Sequence, residues 1–237
     1  MLKKSILGLI ALALVVSAAP VAAQGGSYRQ AGGDNQLRFR VGNFEPDAGS
    51  TYWDDTFFDF TGSPSSFEDT VGGIDFIRWL GPRLGVILSG NGYETETVQA
   101  YRDFEDEAGF DIRHSTKFEV ASATVGLIYR FGGRDAVLRP YIGAGGGFYD
   151  WTLEESGDFI DFGGADAIIF SDSFFTDGTA FGTYFLAGLD IPLGDTWSVF
   201  AEGRWDSAED DLAGDFEGLG QIDLAGKQIA AGFAWRF

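Results

Sequence analysis

The clearest pattern along the chain is an alternation of apolar and polar positions, and it is strongest at residues 228–237. Apolar residues occupy one parity there, from Ile229 to Phe237, while Gln228, Gly232 and Arg236 lie on the other. A period of two predicts a β-strand with one apolar and one polar face. The same alternation recurs near residues 37–42, 121–131, 141–148, 181–191 and 198–206. It is weaker at 71–80 and 84–93, where glycine blurs the faces, so the chain is predicted to contain eight strands.

The connections between these strands alternate in length. Short turns fall at residues 81–83, 132–135 and 194–195, whereas long gaps fall at 45–69, 99–115, 154–177 and 207–223. Short links exclude a helical crossover, so consecutive strands are antiparallel neighbours. The pattern predicts an all-β, eight-stranded antiparallel up-and-down barrel with all its long loops at one end. Four long extracellular loops and three short periplasmic turns are typical of outer-membrane barrels.

The charged positions within the strands decide which face meets which solvent. A soluble lipocalin-like barrel turns its apolar faces inward, and would have to bury Phe233, Trp235 and Phe237 in one small lumen. An eight-stranded barrel has an interior just wide enough to be filled by side chains, in which charges of both signs can neutralise one another. We therefore predict a transmembrane barrel with a polar, plugged lumen. The predicted lumen charge network consists of Arg38, Arg40, Arg130, Asp190, Glu202, Arg204 and Arg236.

Large aromatic residues recur near the predicted strand ends, where their rings suit a membrane–water interface. Those near the short turns are Trp79, Phe131, Trp197 and Trp235, and those near the long loops are Phe44, Phe148, Trp151, Phe181 and Trp205. Closing the sheet would also pair every backbone hydrogen-bonding group within hydrocarbon, which an open sheet cannot do.

Composition narrows the function classes. The 237 residues include no cysteine and one histidine, which excludes disulfides, thiolate metal sites and multi-histidine sites. The formal net charge of −20 argues against nucleic acid as a partner. We expect no cofactor and no metal site. Phosphate-loop spacing is also missing around the glycines at 143–147, which are expected to permit curvature and close approach of the backbone.

The first residues are typical of a secretory signal peptide. Lys3 and Lys4 precede an apolar run at residues 6–16, and small residues follow up to position 23. The predicted organisation is a signal peptide at 1–23, a short periplasmic segment at 24–35 and an outer-membrane β-barrel domain at 36–237. Loss of residues 1–23 removes two lysines, so the mature chain would carry 14 basic and 36 acidic residues, a net charge of −22.

Taken together, the signal peptide, the eight-strand meander and the alternating last strand ending on Phe237 resemble small bacterial outer-membrane barrels of the OmpA, OmpX and OmpW type. The segment from Pro140 to Tyr149 is similar to a Pro-Tyr-aliphatic-Gly strand frequent in these proteins. The resemblance implies contact with outer-membrane lipid and lipopolysaccharide, and recognition by the barrel assembly machinery. It implies that Phe233, Trp235 and Phe237 form the assembly signal.

Two features of the predicted loops invite a functional interpretation. His114 and Ser115 are neighbours, but adjacent strand residues point to opposite faces, so we expect a solvated loop histidine and no catalytic residue. The loops are also strongly acidic, which fits a solvated surface that repels anions better than a specific cation site.

Aromatic residues in the first and third loops have three interpretations. They can pack on one another above the membrane, line the mouth of a hydrophobic ligand path as in OmpW-type proteins, or form an interaction surface. The candidate surface residues are Tyr52, Trp53, Phe57, Phe58, Phe170, Phe174 and Phe175. The sequence thus predicts a monomeric, non-enzymatic outer-membrane barrel with a structural or interaction role. The alternative function is a narrow, OmpW-like channel for small apolar or amphipathic solutes.

Overall fold

The computed structural model describes residues 34–132, 136–164 and 167–237. The strands are β1 (Asn35–Pro46), β2 (Asp69–Trp79), β3 (Leu84–Glu105), β4 (Asp111–Arg130), β5 (Arg139–Asp161), β6 (Ile168–Pro192), β7 (Trp197–Ser207), β8 (Glu209–Asp211), β9 (Gln221–Asp223) and β10 (Gly226–Arg236). One α-helix, α1 (Thr51–Asp59), and two 3₁₀ turns, Pro64–Phe67 and Gly214–Phe216, lie in the connections.

Eight of these strands form a closed barrel in the order β1-β10-β7-β6-β5-β4-β3-β2, and every neighbouring pair is antiparallel. The predicted fold is confirmed. β1 closes the ring by pairing with β10, in a register that places Leu37 beside Trp235. The two ends of the described barrel meet, because the Asn35 amide donates to the Phe237 carbonyl at 3.1 Å. We call the end that holds them the short-turn end, and the opposite end the long-loop end.

Two of the four connections at the long-loop end are strand for most of their length. β3 and β4 pair up to Ala100 and Arg113 and, after a register shift, again at Glu105 and Asp111, and β5 and β6 pair up to Asp161 and Ile168. Residues 99–115 and 154–177 were expected as loops, but they form two hairpins that extend beyond the barrel. The pairing continues because aromatic side chains cover its inner face. The other two connections carry α1 and the small β8–β9 hairpin.

The outer surface of the barrel is apolar. On β10 the Ile229 side chain is 78% exposed, whereas its neighbours Gln228 and Ala230 are buried. Exposed apolar side chains occupy the same outward parity on the other strands: Phe39, Val41, Val125, Leu127, Ile142, Phe148, Phe181, Phe185, Val199, Trp205 and Phe233. An apolar exterior around a closed ring of strands is the arrangement of a transmembrane barrel.

Three aromatic residues that were expected at the membrane interface point into the barrel instead. Phe44, Trp79 and Trp151 are buried, whereas Trp197, Trp205 and Trp235 are exposed on the outer surface. The expectation for the first three was wrong because nearness to a strand end does not fix the face. Parity does, and these three share the parity of inward-facing neighbours.

The predicted domain limits stay predictions. The signal peptide and most of segment 24–35 lie outside them. Within the described part of the chain, no helix is long and apolar enough to cross a membrane.

Candidate functional site

The middle of the lumen holds a group of buried charges that contact one another across the barrel. Arg38 of β1 donates to Glu202 of β7 at 2.8 Å and to the Tyr141 hydroxyl of β5 at 2.6 Å. Arg40 donates to Asp75 of β2 and to Asn91 of β3. Because β1 is not adjacent to β3, β5 or β7, these bonds span the interior and fill it.

Asp75 joins the two arginines. Its carboxylate bonds Arg40 and lies 3.8 Å from the Arg38 Nε, and it is completely buried. The Arg38 guanidinium also lies over the Phe200 ring, 3.7 Å from its centroid. Buried charges persist only when they are paired and hydrogen-bonded, and here two arginines are matched by Asp75 and Glu202.

A second group lies nearer the long-loop end. Arg204 pairs with Asp206 at 2.8 Å, and the Tyr149 hydroxyl and the Gln228 amide donate to the same carboxylate. The Arg204 guanidinium lies 3.9 Å from the centroid of the Tyr184 ring. This second group therefore adds another polar layer to the interior.

The remaining predicted lumen charges lie toward the short-turn end. Arg130 lies over the Trp79 ring at 4.3 Å, and Asp190 is 3.6 Å from Arg139. Arg236 is only half-buried and lies at the rim. The structure thus places these residues in several groups instead of one network. Asp75, Asp206 and Arg139 are members that sequence analysis missed.

Above the charged layers, a cluster of apolar side chains closes the long-loop end. We call it the mouth cluster: Phe44, Ala48, Tyr52, Trp53, Phe67, Val71, Tyr93, Phe118, Val120, Tyr149, Trp151, Leu153, Ala180, Ala208, Leu212, Phe216, Ile222 and Leu224. Its centre is Trp53, which is 0% exposed and contacts the rings of Phe67 and Phe118 at 4.9 and 5.6 Å. The cluster draws on α1 and on barrel strands from several sides, so it lies across the mouth of the barrel.

Helix α1 is fixed in the mouth by polar contacts as well as by packing. The Trp53 indole donates to the Asp223 carbonyl at 3.1 Å, and the Tyr52 hydroxyl donates to Glu155 at 2.7 Å. The Asp223 carboxylate also accepts from the Gly49 amide, and the Asp223 amide donates to the Ser50 hydroxyl oxygen. Burial raises the pKa of both Tyr52 and Glu155, as expected when the charged forms are removed from water.

The candidate surface residues of the loops divide into two sets. Tyr52 and Trp53 are buried in the mouth cluster, and Phe57 and Phe174 pack against it, so Tyr52 and Trp53 do not belong to an exposed surface. Phe58, Phe170 and Phe175 remain exposed. The helical spacing in residues 51–59 carries the signal that separates them, since Tyr52, Trp53, Thr56 and Phe57 share one side of α1.

From the mouth cluster a chain of ring contacts runs outward along the two hairpins. We call it the aromatic ladder, and each contact joins centroids 4.4–6.5 Å apart. Its rings, from the mouth outward, are Trp53, Tyr52, Phe216, Phe174, Phe159, His114, Phe60, Tyr101, Phe104 and Phe162. Contacts of this kind add stabilisation beyond the area they bury, so the hairpins are attached firmly to the barrel.

The histidine of the chain lies inside this ladder. His114 is 2% exposed, and its ring contacts Phe60 at 4.4 Å and Phe159 at 5.1 Å. Within the described part of the chain neither of its ring nitrogens has a hydrogen-bond partner, and burial lowers its pKa to about 4. The prediction of a solvated loop histidine was wrong. Ser115 points to the opposite side and donates to Glu96, so the two residues do not form a catalytic pair.

The exterior of the hairpins is acidic. Exposed carboxylates include Asp103, Glu107 and Asp161, and few basic side chains accompany them. Among the described residues, no group of three or more acidic, histidine or cysteine side chains is placed to hold a metal ion.

The residues implied in assembly lie on the outer surface. Phe233, Trp235 and Phe237 are partly exposed on the outward parity of β10, and Phe233 stacks on Phe39 of β1 at 5.2 Å. They therefore lie along the seam that closes the barrel.

Comparison with known proteins gives structural matches alone. No protein-family model and no curated protein sequence matches the chain. Among solved structures, it is similar to Neisserial surface protein A (13% identity, 86% of this chain and 96% of that chain, TM-score 0.45). It is also similar to OprG of Pseudomonas aeruginosa (15%, 87% and 96%, TM-score 0.45) and to Ail, the attachment invasion locus protein of Yersinia pestis (15%, 86% and 99%, TM-score 0.42).

Proposed function

We propose that this protein is a non-enzymatic, non-conducting barrel of a bacterial outer membrane, which holds a rigid, acidic two-hairpin projection outside the cell for interaction with other molecules. The observation that carries the proposal is the filled interior. Side chains close the barrel at three levels, the Arg38–Glu202–Asp75 group, the Arg204–Asp206 group and the mouth cluster around Trp53.

The narrowness of the lumen supports a non-conducting barrel. A cavity toward the short-turn end, lined by Arg38, Trp79, Arg130, Asp190 and others, has a volume of about 10 Å³. That volume is about the minimum that holds one water molecule. The alternative function, a narrow channel for apolar or amphipathic solutes, would require both the charged layers and the mouth cluster to open.

The outer surface of the barrel indicates which molecules surround it. The apolar outer surface would contact lipid and lipopolysaccharide, and the outward row of Phe233, Trp235 and Phe237 would be read by the barrel assembly machinery. A continuous apolar exterior facing lipid supports a monomer. Export through a cleaved signal peptide at residues 1–23 belongs to the same proposal.

Conductance in a planar bilayer tests the closure directly. The refolded wild-type protein is expected to give no steady openings, since each layer blocks ions. A variant with Arg38→Ala, Glu202→Ala, Arg204→Ala, Asp206→Ala and Trp53→Gly, which weakens all three layers, is expected to conduct. The variants Arg38→Ala/Glu202→Ala and Trp53→Gly alone are expected to stay silent.

A difference in SDS-gel mobility between unboiled and boiled samples must show that each variant has folded. Phe58→Gly serves as the matched control for Trp53→Gly, because Phe58 is 81% exposed on the same helix. Steady openings of the wild-type protein would refute a closed barrel and favour the channel.

A further inference from the structure

The aromatic ladder ends on rings that the described chain leaves about half exposed. Its inner members are buried or half-buried, but Phe104 and Phe162, which meet at 5.1 Å between the two hairpins, are 44% and 56% exposed. Phe170, Phe110 and Ile168 nearby on the same two hairpins are also exposed. We call these five residues the tip patch. An exposed apolar patch at the end of a rigid projection is typical of an interaction surface.

The surroundings of the tip patch are predominantly acidic, with Arg102 and Arg113 at its inner edge, where Arg113 pairs with Asp111 at 2.6 Å. Residues 103–111 and 158–172 contain nine carboxylates and neither lysine nor arginine. Of these, the exposed side chains in the described chain are Asp103, Glu105, Glu107, Asp111, Asp158, Asp161 and Asp172. A patch of aromatic rings with an acidic rim is complementary to a ligand that carries cations next to apolar groups, since the rim attracts the cations and ring faces bind them as well.

The same charge argues against other occupants. A second copy would bring an equally acidic tip toward this one, and an anionic lipid surface would be repelled in the same way. A neutral bilayer carries no net positive charge to attract the acidic rim, because each headgroup cation is accompanied by a phosphate.

We propose that the tip patch binds a cationic amphipathic segment of a partner protein, in which lysine or arginine alternates with apolar residues. The apolar side chains would cover Phe104 and Phe162, and the cations would meet the acidic rim. This inference rests on the proposed interaction role of the hairpins and names its partner by chemistry. Because the tip patch is remote from the lumen, failure of this inference would leave the conductance result unaffected.

The experiment measures binding of a fluorescently labelled lysine–leucine amphipathic peptide to the protein in nanodiscs of zwitterionic lipid, with empty nanodiscs as the blank. The wild-type protein is expected to bind, and affinity should fall as salt rises, because exposed charges are screened. Phe104→Ser/Phe162→Ser should weaken binding at least tenfold. Asp103→Asn/Glu107→Gln should weaken it several-fold and reduce its salt dependence.

Phe58→Ser is the matched control, because it removes an exposed phenylalanine on α1 away from the tip, and it should bind within twofold of the wild type. Phe110→Ser is the second patch variant, for use if the double variant does not fold, and it should also weaken binding. A glutamate–leucine peptide of the same length should not bind.

Three results would overturn the proposal. Equal affinity for a peptide of lysine alone would mean that charge without the rings suffices. Unchanged binding by the folded patch variants would place the site elsewhere. Self-association of the wild type through the tip, or its tip-dependent binding to neutral vesicles in preference to the peptide, would identify a different occupant.

Discussion

His114 shows how a single side chain links the projection to the barrel. Strand β4 alternates through this region, with Arg113, Ser115 and Lys117 outward and His114 on the inner row. That alternation is present in the sequence, although residues 99–115 were predicted as a loop. The row to which a residue belongs therefore predicts burial here better than its polarity does.

The buried imidazole makes stability depend on pH. Its pKa is about 4 in the folded protein, against 6.5 for an exposed histidine, so the unfolded chain binds a proton first as the pH falls. His114 therefore leaves stability intact above pH 6.5 and lowers it progressively between pH 6.5 and 4. The loss reaches about 3 kcal/mol at pH 4 and levels off below that, where the folded protein binds the proton as well.

The measurement is the free energy of unfolding of the refolded protein in guanidinium chloride at pH 8 and pH 4. His114→Phe is the comparison, because it keeps the ring contacts with Phe60 and Phe159 but cannot bind a proton. Carboxylates such as Glu155, whose raised pKa acts in the opposite direction, titrate in both proteins and cancel in the difference. Equal losses of stability in the two proteins would show that His114 is not buried in its neutral form.

Asp75 shows where the alternation of apolar and polar residues stops predicting which side chains lie in the lumen. It occupies the inward row of β2 together with Val71, Ile77 and Trp79, so that row mixes a buried charge with apolar side chains. A lumen filled by side chains accepts both kinds, provided that each charge finds its partner. The partners, Arg38 and Arg40, lie on the neighbouring strand β1, where Arg38 is directly opposite Asp75, so the register of β1 and β2 brings the three together.

At the scale of elements, alternation was enough to predict eight strands and their antiparallel order, because each short turn allows one arrangement. The upper parts of β3–β6 were not predicted, since membrane-spanning length gave no reason to extend them. Helix α1 was not predicted either. Its nine residues depend on Tyr52 and Trp53 being packed in the mouth cluster, because so short a helix is marginal by itself.

The close contact between β4 and β5 requires glycine. A methyl group on Gly147 would lie 2.2 Å from the Ala123 carbonyl oxygen and 2.6 Å from the Thr124 Cα, both backbone atoms that cannot turn aside. Gly147→Ala is therefore expected to lower the free energy of unfolding by about 2 kcal/mol.

Gly72→Ala is the matched control for this change, because a methyl group there has no atom within 4 Å. Its free energy of unfolding in guanidinium chloride should stay within about 0.5 kcal/mol of the wild type. If the two variants were equally stable, β4 and β5 would not approach as closely as the structure shows.

At the scale of the whole molecule, the division between an apolar exterior and a charged interior organises every other feature. It gives the barrel a surface that lipid can cover, and it places cations and carboxylates where they neutralise one another. The acidic residues without such partners accumulate on the hairpins, where the aromatic ladder keeps the pairing intact. The exposed surface that we propose for binding, the tip patch, therefore lies outside the barrel.

The six tryptophans report on this division, because Trp53, Trp79 and Trp151 point inward and Trp197, Trp205 and Trp235 outward. Single-tryptophan variants, with the others changed to phenylalanine and folding checked by gel mobility, would be refolded into vesicles of brominated lipid, which quenches indoles that contact acyl chains. We expect strong quenching of Trp197, Trp205 and Trp235 and little quenching of the other three. Quenching of Trp79 or Trp151 as strong as that of Trp205 would contradict the orientation of the strands and, with it, the closed membrane barrel.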